Sequence, residues 1–268
     1  MAEASRHDAW QAGDNYEAYM GRWSRLLAPR FLAWLGAAPT LDWLEVGCGT
    51  GALTAAILAE AAPRGLVAVD ASEGFRAKAR AELPDVRAEF RLGEAQDLPV
   101  ESAGRDVAVA GLVLNFLPDR VKALQEMRRT LRPGGLIGLY VWDYPGGGMQ
   151  MMRAFWDAAA ALDPAADDLR EARRFPFCTP NGLTALAAEA GLGPVEVAAL
   201  DVPTVFRDFD DYWRPFTLGA GPAPGYCTSL SDTQRERLRR RLSETLPQRP
   251  DGSIALTARA WAVRARPA

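Results

Sequence analysis

A doubly wound, mostly parallel α/β sheet is the fold this sequence predicts, and three observations predict it. From Leu41 onward, short apolar runs alternate with longer stretches of helical periodicity, the pattern of a parallel sheet covered by crossover helices. The breaks between runs fall at glycine and proline, as at Arg132-Pro133-Gly134-Gly135, where proline cannot continue a helix and glycine reaches φ > 0. A length of 268 residues supports one large core with a modest cap, whereas two full domains would be a squeeze.

The elements follow in order. Residues 1–15 read as a polar tail, and Tyr16 to Leu35 shows apolar residues at helical spacing, a pair of helices interrupted near Pro29. Strands are expected at 41–46, 66–70, 87–92, 106–111 and 135–142, with helices at 51–62, 73–82 and 119–131 between them. Beyond the fifth strand, Met149 to Leu162 and Leu183 to Gly191 read as helices and 195–206 as a strand. Residues 207–230 are aromatic and rich in proline and glycine, so an irregular stretch is expected there, followed by a polar helix at 231–245. The segment 254–264 alternates Ile254, Leu256, Ala258, Ala260 and Ala262 against polar or large residues and reads as a final strand. No internal repeat or low-complexity tract is present.

Composition excludes several classes of function. Apolar residues at 49% and charged residues at 24% are those of a globular chain. The net charge is −3 and no basic stripe forms, so nucleic acid is not an expected partner. The most basic segment, Arg235 to Arg241, contains Glu236 and reads as the solvated face of a helix. Cys48, Cys178 and Cys227 lie far apart without CxxC spacing, so neither a disulfide framework nor a metal site is expected, and a reducing cytoplasm fits. Met1 to Gly13 is polar and charged, and nowhere do about 18 apolar residues run together, so neither export nor a membrane span is expected.

Open α/β sheets bind ligands outside the carboxyl ends of their strands, near the point where strand order reverses. At the first exit, Leu44-Glu45-Val46-Gly47-Cys48-Gly49-Thr50-Gly51 lets the backbone turn tightly and approach a ligand with no Cβ in the way. The spacing is GxGxG and not the GxGxxG of dinucleotide enzymes. Glu45 precedes the first glycine, and its carboxylate would favour a cationic amino-acid tail over a pyrophosphate. The second strand ends at Asp70, placed to accept hydrogen bonds from ribose hydroxyls, with Ala71 beside it and Phe75 one helical turn on, where it could cover an adenine face. An acidic residue at this place is shared with nicotinamide-binding sheets, so alone it indicates only an adenosine-type nucleoside. The third exit, Gly93 to Pro99, offers a carboxylate, an amide and backbone groups, and the fourth offers the carbonyls of Gly111 to Asn115.

Together, Glu45 to Gly51, Asp70-Ala71-Ser72, Gly93 to Pro99 and Leu131 to Gly135 resemble the ordered motifs of class I S-adenosylmethionine-dependent methyltransferases. The likeness is strongest to the small-molecule branch similar to ubiquinone and menaquinone biosynthesis methylases, and it covers residues 40–142. It implies a Rossmann-like sheet of seven strands, the last antiparallel, with S-adenosyl-L-methionine as cofactor. It further implies that the loop of Gly47, Cys48, Gly49 and Gly51 holds the methionine part, Asp70 the ribose, and Glu94, Ala95 and Gln96 the adenine, with Gly111 and Leu112 facing the same crevice. Glu94 stands where the family often has aspartate, and Phe75 where it often has methionine.

The sequence assigns no catalytic residue. The sole histidine, His7, falls in the tail, and Asp143 and Tyr144 are the remaining candidates for a base. Cys48 reads as a small filler beside the cofactor. In-line methyl transfer can rest largely on holding donor and acceptor in near-attack geometry. Arg22 and Trp23 could close over the cofactor carboxylate. Trp23, Asn115, Trp142, Tyr144, Phe155, Trp156, Tyr212 and Trp213 are the candidate acceptor contacts, because clustered aromatics suit a lid over a small apolar or aromatic molecule. The lid is expected from residues 1–40, 145–180 and 207–246 of a single domain, in a monomer or homodimer. The alternatives are a nicotinamide-dependent oxidoreductase and a cofactor-binding protein without methyl transfer.

Overall fold

The computed structural model describes residues 17–219 and 221–267, so the expected tail, Tyr16 and His7 lie outside the described residues. Seven strands form one sheet in the order β3-β2-β1-β4-β5-β7-β6. They are β1 (Asp42–Val46), β2 (Gly65–Asp70), β3 (Ala88–Leu92), β4 (Arg105–Gly111), β5 (Leu131–Trp142), β6 (Glu196–Phe206) and β7 (Ile254–Ala265). The first five pair in parallel, while β5 and β7 pair antiparallel from Ile137 opposite Ala265 to Trp142 opposite Ala260. This is a Rossmann-like doubly wound sheet, mostly parallel, with strand order reversing between β1 and β4. Trp43, Leu44, Val67, Ala68, Val107, Ala108 and Val109 are buried without alternation, as central parallel strands covered on both faces require.

At the amino ends of the strands, Asp42 and Asp106 share Arg132, which reaches Asp106 at 2.5 Å and Asp42 at 3.0 Å, while Arg64 binds Asp42 at 2.6 Å. The hydrogen bonds from Arg64 and Arg132 hold the Asp42 carboxyl down at about 2. This network joins the starts of β1, β4 and β5 at the end of the sheet opposite the glycine loop. The stop signal Arg132 to Gly135 proves to be an excursion inside β5, because the register jumps from Arg105 opposite Leu131 to Val107 opposite Leu136.

Contacts divide the chain into two compact units. One comprises Ser24–Trp142, Phe177–Leu200 and Ala260–Ala268 and carries most of the sheet; the other comprises Met1–Trp23, Asp143–Pro176 and Asp201–Arg259. From Ser24 onward, the segment before residue 40 belongs to the sheet-bearing unit, where Phe31 meets Tyr140 with ring centroids 4.7 Å apart.

Two local expectations are also corrected. A π-helical turn, Glu17–Gly21, leads into one continuous helix, Arg22–Leu35, with Pro29 inside it. An internal proline costs about 3 kcal/mol. Here Leu27, Phe31 and Leu35 are all at most 2% exposed, and burial at about 1.5–3 kcal/mol each outweighs that cost. The irregular stretch expected at 207–230 contains the helices Phe209–Trp213 and Pro222–Ser229, with a 3-10 turn at Arg214–Leu218 between them. Pro215 and Pro222 lie in the first turns of these elements, where a missing N–H costs nothing.

Candidate active site

The loop after β1 is bound to β2 through its backbone. Gly47 and Cys48 both donate to the Val69 carbonyl, at 2.8 and 3.1 Å. Gly47 has φ +73°, and a Cβ there would sit 2.5 Å from Val113, so no other residue fits. Gly49 has φ +54° and its missing Cβ would meet nothing within 4 Å, so the bare backbone faces open space. The Gly49 N–H donates to Asp70 Oδ2 at 2.8 Å, and the Ser72 N–H donates to Asp70 Oδ1, also at 2.8 Å. One carboxylate thus clamps the β1 loop to the β2 turn, with burial raising its pKa against these two bonds. Ser72 also accepts from the Phe75 N–H at 3.3 Å, capping the helix Glu73–Glu82 and fixing the half-buried Phe75. Ala71, in the turn, is exposed.

Glu45 and Cys48 are buried, at 1% and 5% exposure. Thr54 Oγ1 donates to Glu45 Oε2 at 2.5 Å, and desolvation lifts the Glu45 carboxyl to about 8. Its hydrogen bond from Thr54 ties the loop to the helix Ala52–Glu60. Burial raises the Cys48 thiol, which stays protonated and has no nucleophilic role.

Beyond β3, Glu94 is exposed and Ala95 buried, while Gln96 Oε1 is buried with no hydrogen-bond partner. Beyond β4, Gly111 lies against the Tyr140 hydroxyl, and a Cβ on it would come within 2.5 Å of that oxygen. Leu112 has φ 59°, a left-handed backbone costing a non-glycine residue about 1–2 kcal/mol. Its N–H donates to the Tyr140 carbonyl at 2.9 Å, which helps hold that conformation. Asn115 is 2% exposed and its Nδ2 has no partner. Unpaired buried polar atoms cost about 1–3 kcal/mol each, so Gln96 and Asn115 are placed to gain from a polar ligand. Such an acceptor and donor, the bare backbone at Gly49 and the remaining lone pairs of Asp70 fit the adenosyl and amino-acid parts of S-adenosylmethionine.

The other unit holds most of the candidate acceptor contacts. Phe155 is fully buried and stacks on Phe216 at 4.3 Å. Tyr212 is fully buried and its hydroxyl donates to the Met151 carbonyl at 2.9 Å. Trp213 is buried against Phe216 at 6.4 Å and Trp23 against Phe206 at 5.1 Å. These four are buried within their unit. Trp142 is likewise core, opposite Ala260 in the sheet. Arg22 binds Asp211 through both carboxylate oxygens, at 2.8 and 3.1 Å, and lies over the Trp23 ring. Tyr144 and Trp156 line a cleft of about 140 Å³, together with Met149, Met152, Arg153, Arg170 and Glu171. Asp143 is buried and accepts from the Gly146 N–H at 2.9 Å, a turn-forming role.

Ser72 enters the sequence reading only within the Asp70-Ala71-Ser72 motif, although serine before Glu73 also signals a helix start. Thr54 and Glu171 escaped it, because their partners are distant in sequence or set by packing. Among the described residues, no group of three or more histidines, cysteines or carboxylates could hold a metal ion, and no helix is long and apolar enough to cross a membrane.

Residues 44–139 match the family model for a methyltransferase domain. The chain is similar to an arsenite methyltransferase of Halobacterium salinarum, 28% identical over 205 residues, covering 70% of this chain and 48% of that one. It is also similar to a 2-phytyl-1,4-naphtoquinone methyltransferase of Trichormus variabilis, 28% identical over 157 residues, covering 56% of this chain and 68% of that one. The first curated relatives it matches are longer, and the chain spans 33% and 48% of their lengths. In fold it is similar to a crystal structure of a putative methyltransferase from Bacillus halodurans, with a TM-score of 0.59 and 14% identity over 90% of this chain and 99% of that one.

Proposed function

We infer from the methyltransferase-domain match at residues 44–139 and from the site geometry that this chain is a class I S-adenosylmethionine-dependent methyltransferase that transfers a methyl group to O, N or C of a small apolar or aromatic molecule. The observation that carries the reading is the Asp70 clamp, which holds the glycine loop and the β2 turn on one carboxylate while Gly49 leaves its bare face open. When bound, S-adenosylmethionine would supply a sulfonium methyl carbon open to in-line attack by an acceptor, the acceptor–methyl bond forming as the S–methyl bond breaks and the neutral thioether leaves. In this reading Gly47, Cys48, Gly49 and Gly51 line the amino-acid part, and Asp70 accepts from the ribose hydroxyls. Phe75, Glu94, Ala95 and Gln96 border the adenine, and Gly111, Leu112 and Asn115 border the crevice. The names of the naphtoquinone and arsenite relatives support small acceptors. The residues' contribution is placement, with no nucleophile required of the chain.

Incubating the full chain and a metabolite extract with methyl-labelled S-adenosylmethionine tests the activity, and calorimetry tests the site. Labelled product and loss of cofactor affinity in Asp70→Ala are expected. Unchanged affinity in Asp70→Ala, or nicotinamide cofactor copurifying in its place, would overturn the reading in favour of an oxidoreductase; cofactor binding without any labelled product would leave a binding protein.

A further inference from the structure

The unit that carries Asp143–Pro176 and Asp201–Arg259 contains a second, larger cleft of about 340 Å³, lined from the helix Gln150–Leu162, from the end of the helix Asp232–Thr245 and from the start of β7. Small-molecule sites run from about 300 to about 1,000 Å³, so this cleft has room for a small organic molecule. Part of its lining is apolar: Ala158, Leu246 and Leu256 are all at most 9% exposed, and Ala154 and Pro247 adjoin them. Such a surface favours an apolar ligand body by about 25 cal/mol for each Å² taken from water.

The uncharged polar side chains of the lining already have partners within the protein. Gln150 Oε1 accepts from the Thr257 N–H at 2.9 Å, and the Thr245 hydroxyl donates to the Arg241 carbonyl at 2.9 Å. Three charged groups complete the lining, Arg153, Asp157 and Arg241. Asp157 pairs with Arg170 at 3.1 Å, and Arg170 also meets Asp167 at 2.7 Å. Arg153 and Arg241 are exposed, and among the described residues neither has a carboxylate within ion-pair distance. Even with Asp157 counted in full, the lining holds two guanidiniums to one carboxylate, so its charge is positive. A hydrocarbon would leave both guanidiniums unused, a cation would be repelled, and a bare inorganic anion would leave the apolar lining in water. An apolar body with an anionic head satisfies both parts, and a guanidinium fork matches a carboxylate.

We propose that this cleft binds a small molecule with an apolar ring body and a carboxylate head, the head received by Arg153 and Arg241. The proposal goes beyond the methyl-transfer reading and does not rest on it, since the cleft shares no residue with the glycine-loop site. Naphthoate, its neutral amide naphthamide, and acetate are the probes, which separate the charge from the apolar body. Calorimetry on the full chain at low salt is expected to find naphthoate bound at least about threefold more tightly than naphthamide, the scale of exposed ion pairs, with acetate weaker than either. Raising the ionic strength from about 0.01 M to about 1 M, which shortens the Debye length from about 30 Å to about 3 Å, is expected to remove most of that preference. Arg153→Gln combined with Arg241→Gln is expected to abolish it while naphthamide affinity holds. Ala154→Leu, which narrows the apolar part of the cleft, is expected to weaken both naphthyl probes. Both arginines are exposed, so the double variant should keep its fold by circular dichroism; should it not, the salt dependence and Ala154→Leu decide. Equal affinity for naphthoate and naphthamide in the wild type, a preference that survives the double variant or high salt, acetate bound as tightly as naphthoate, or undiminished naphthyl binding in Ala154→Leu would overturn the assignment.

Discussion

The glycine loop of the sheet-bearing unit and the aromatic interior of the other unit are both assembled from residues far apart in sequence, but by opposite physics. Around the loop, geometry is set by backbone groups meeting a carboxylate, with Gly49 and Ser72 on Asp70 and Gly47 and Cys48 on Val69. In the aromatic interior, it is set by rings filling space: Phe155 touches Trp156, Phe216 and Tyr226 within 4.3–6.3 Å. Hydrogen-bonded turns demand particular residue types at particular spacings, whereas packing demands only volume. A motif therefore announces the first region and conceals the second.

The comparison can be broken most forcefully at Phe155. If the ring is interior, Phe155→Ala lowers stability by about 3–5 kcal/mol, read from denaturant unfolding. A change under about 1 kcal/mol would return Phe155 to the ligand-contacting set.

Glu45 tests the loop side. Its folded value of about 8 lies above the ordinary 4.5, so the folded state keeps a proton that the unfolded chain has already released. Stability is therefore fullest below the unfolded value and falls as pH rises through the interval, by a few kcal/mol in total. Glu45→Gln is expected to flatten that slope between about pH 5 and about pH 9, measured by the unfolding midpoint. The Asp42 network acts with opposite sign in another window, since its depressed carboxyl contributes stability lost only as pH falls towards about 2.

Next in size is Gly49→Val, which places a β-branched side chain where the bare backbone faces open space. Cofactor affinity is expected to fall at least about hundredfold, or about 2.7 kcal/mol, while circular dichroism shows the fold retained. The smallest effect is at Tyr212→Phe, which removes the bond to the Met151 carbonyl and should cost about 1 kcal/mol in thermal unfolding, with cofactor affinity unchanged. Altered cofactor affinity would give Tyr212 a role beyond packing.

Much of the fold was legible because periodicity and chain punctuation are local. Every sheet strand was expected within a few residues of its place, and β2 and β4 differ from expectation by one residue at their starts. Pro29 was misread because its cost is local while the burial of Leu27, Phe31 and Leu35 that outweighs it is not. Residues 207–230 were misread because proline marks helix starts as well as loops. Within the candidate site, Glu45 was legible as an acidic residue, but the rise of its pKa comes from complete burial, against the hydrogen bond from Thr54, and burial is not local.

By itself, then, the sequence determined the α/β sheet, the loop from Gly47 to Gly51 and the acidic end of β2, because tight turns and strand exits impose residue identity at short range. Only the tertiary structure decided that Asp70 spends both oxygens on backbone amides, that burial raises the Glu45 carboxyl, that Arg22 pairs with Asp211, and that Tyr144 and Trp156 line a cleft while Phe155 stacks on Phe216. Those outcomes depend on solvent exclusion and on partners tens to hundreds of residues away, and burial is a property of the packed whole.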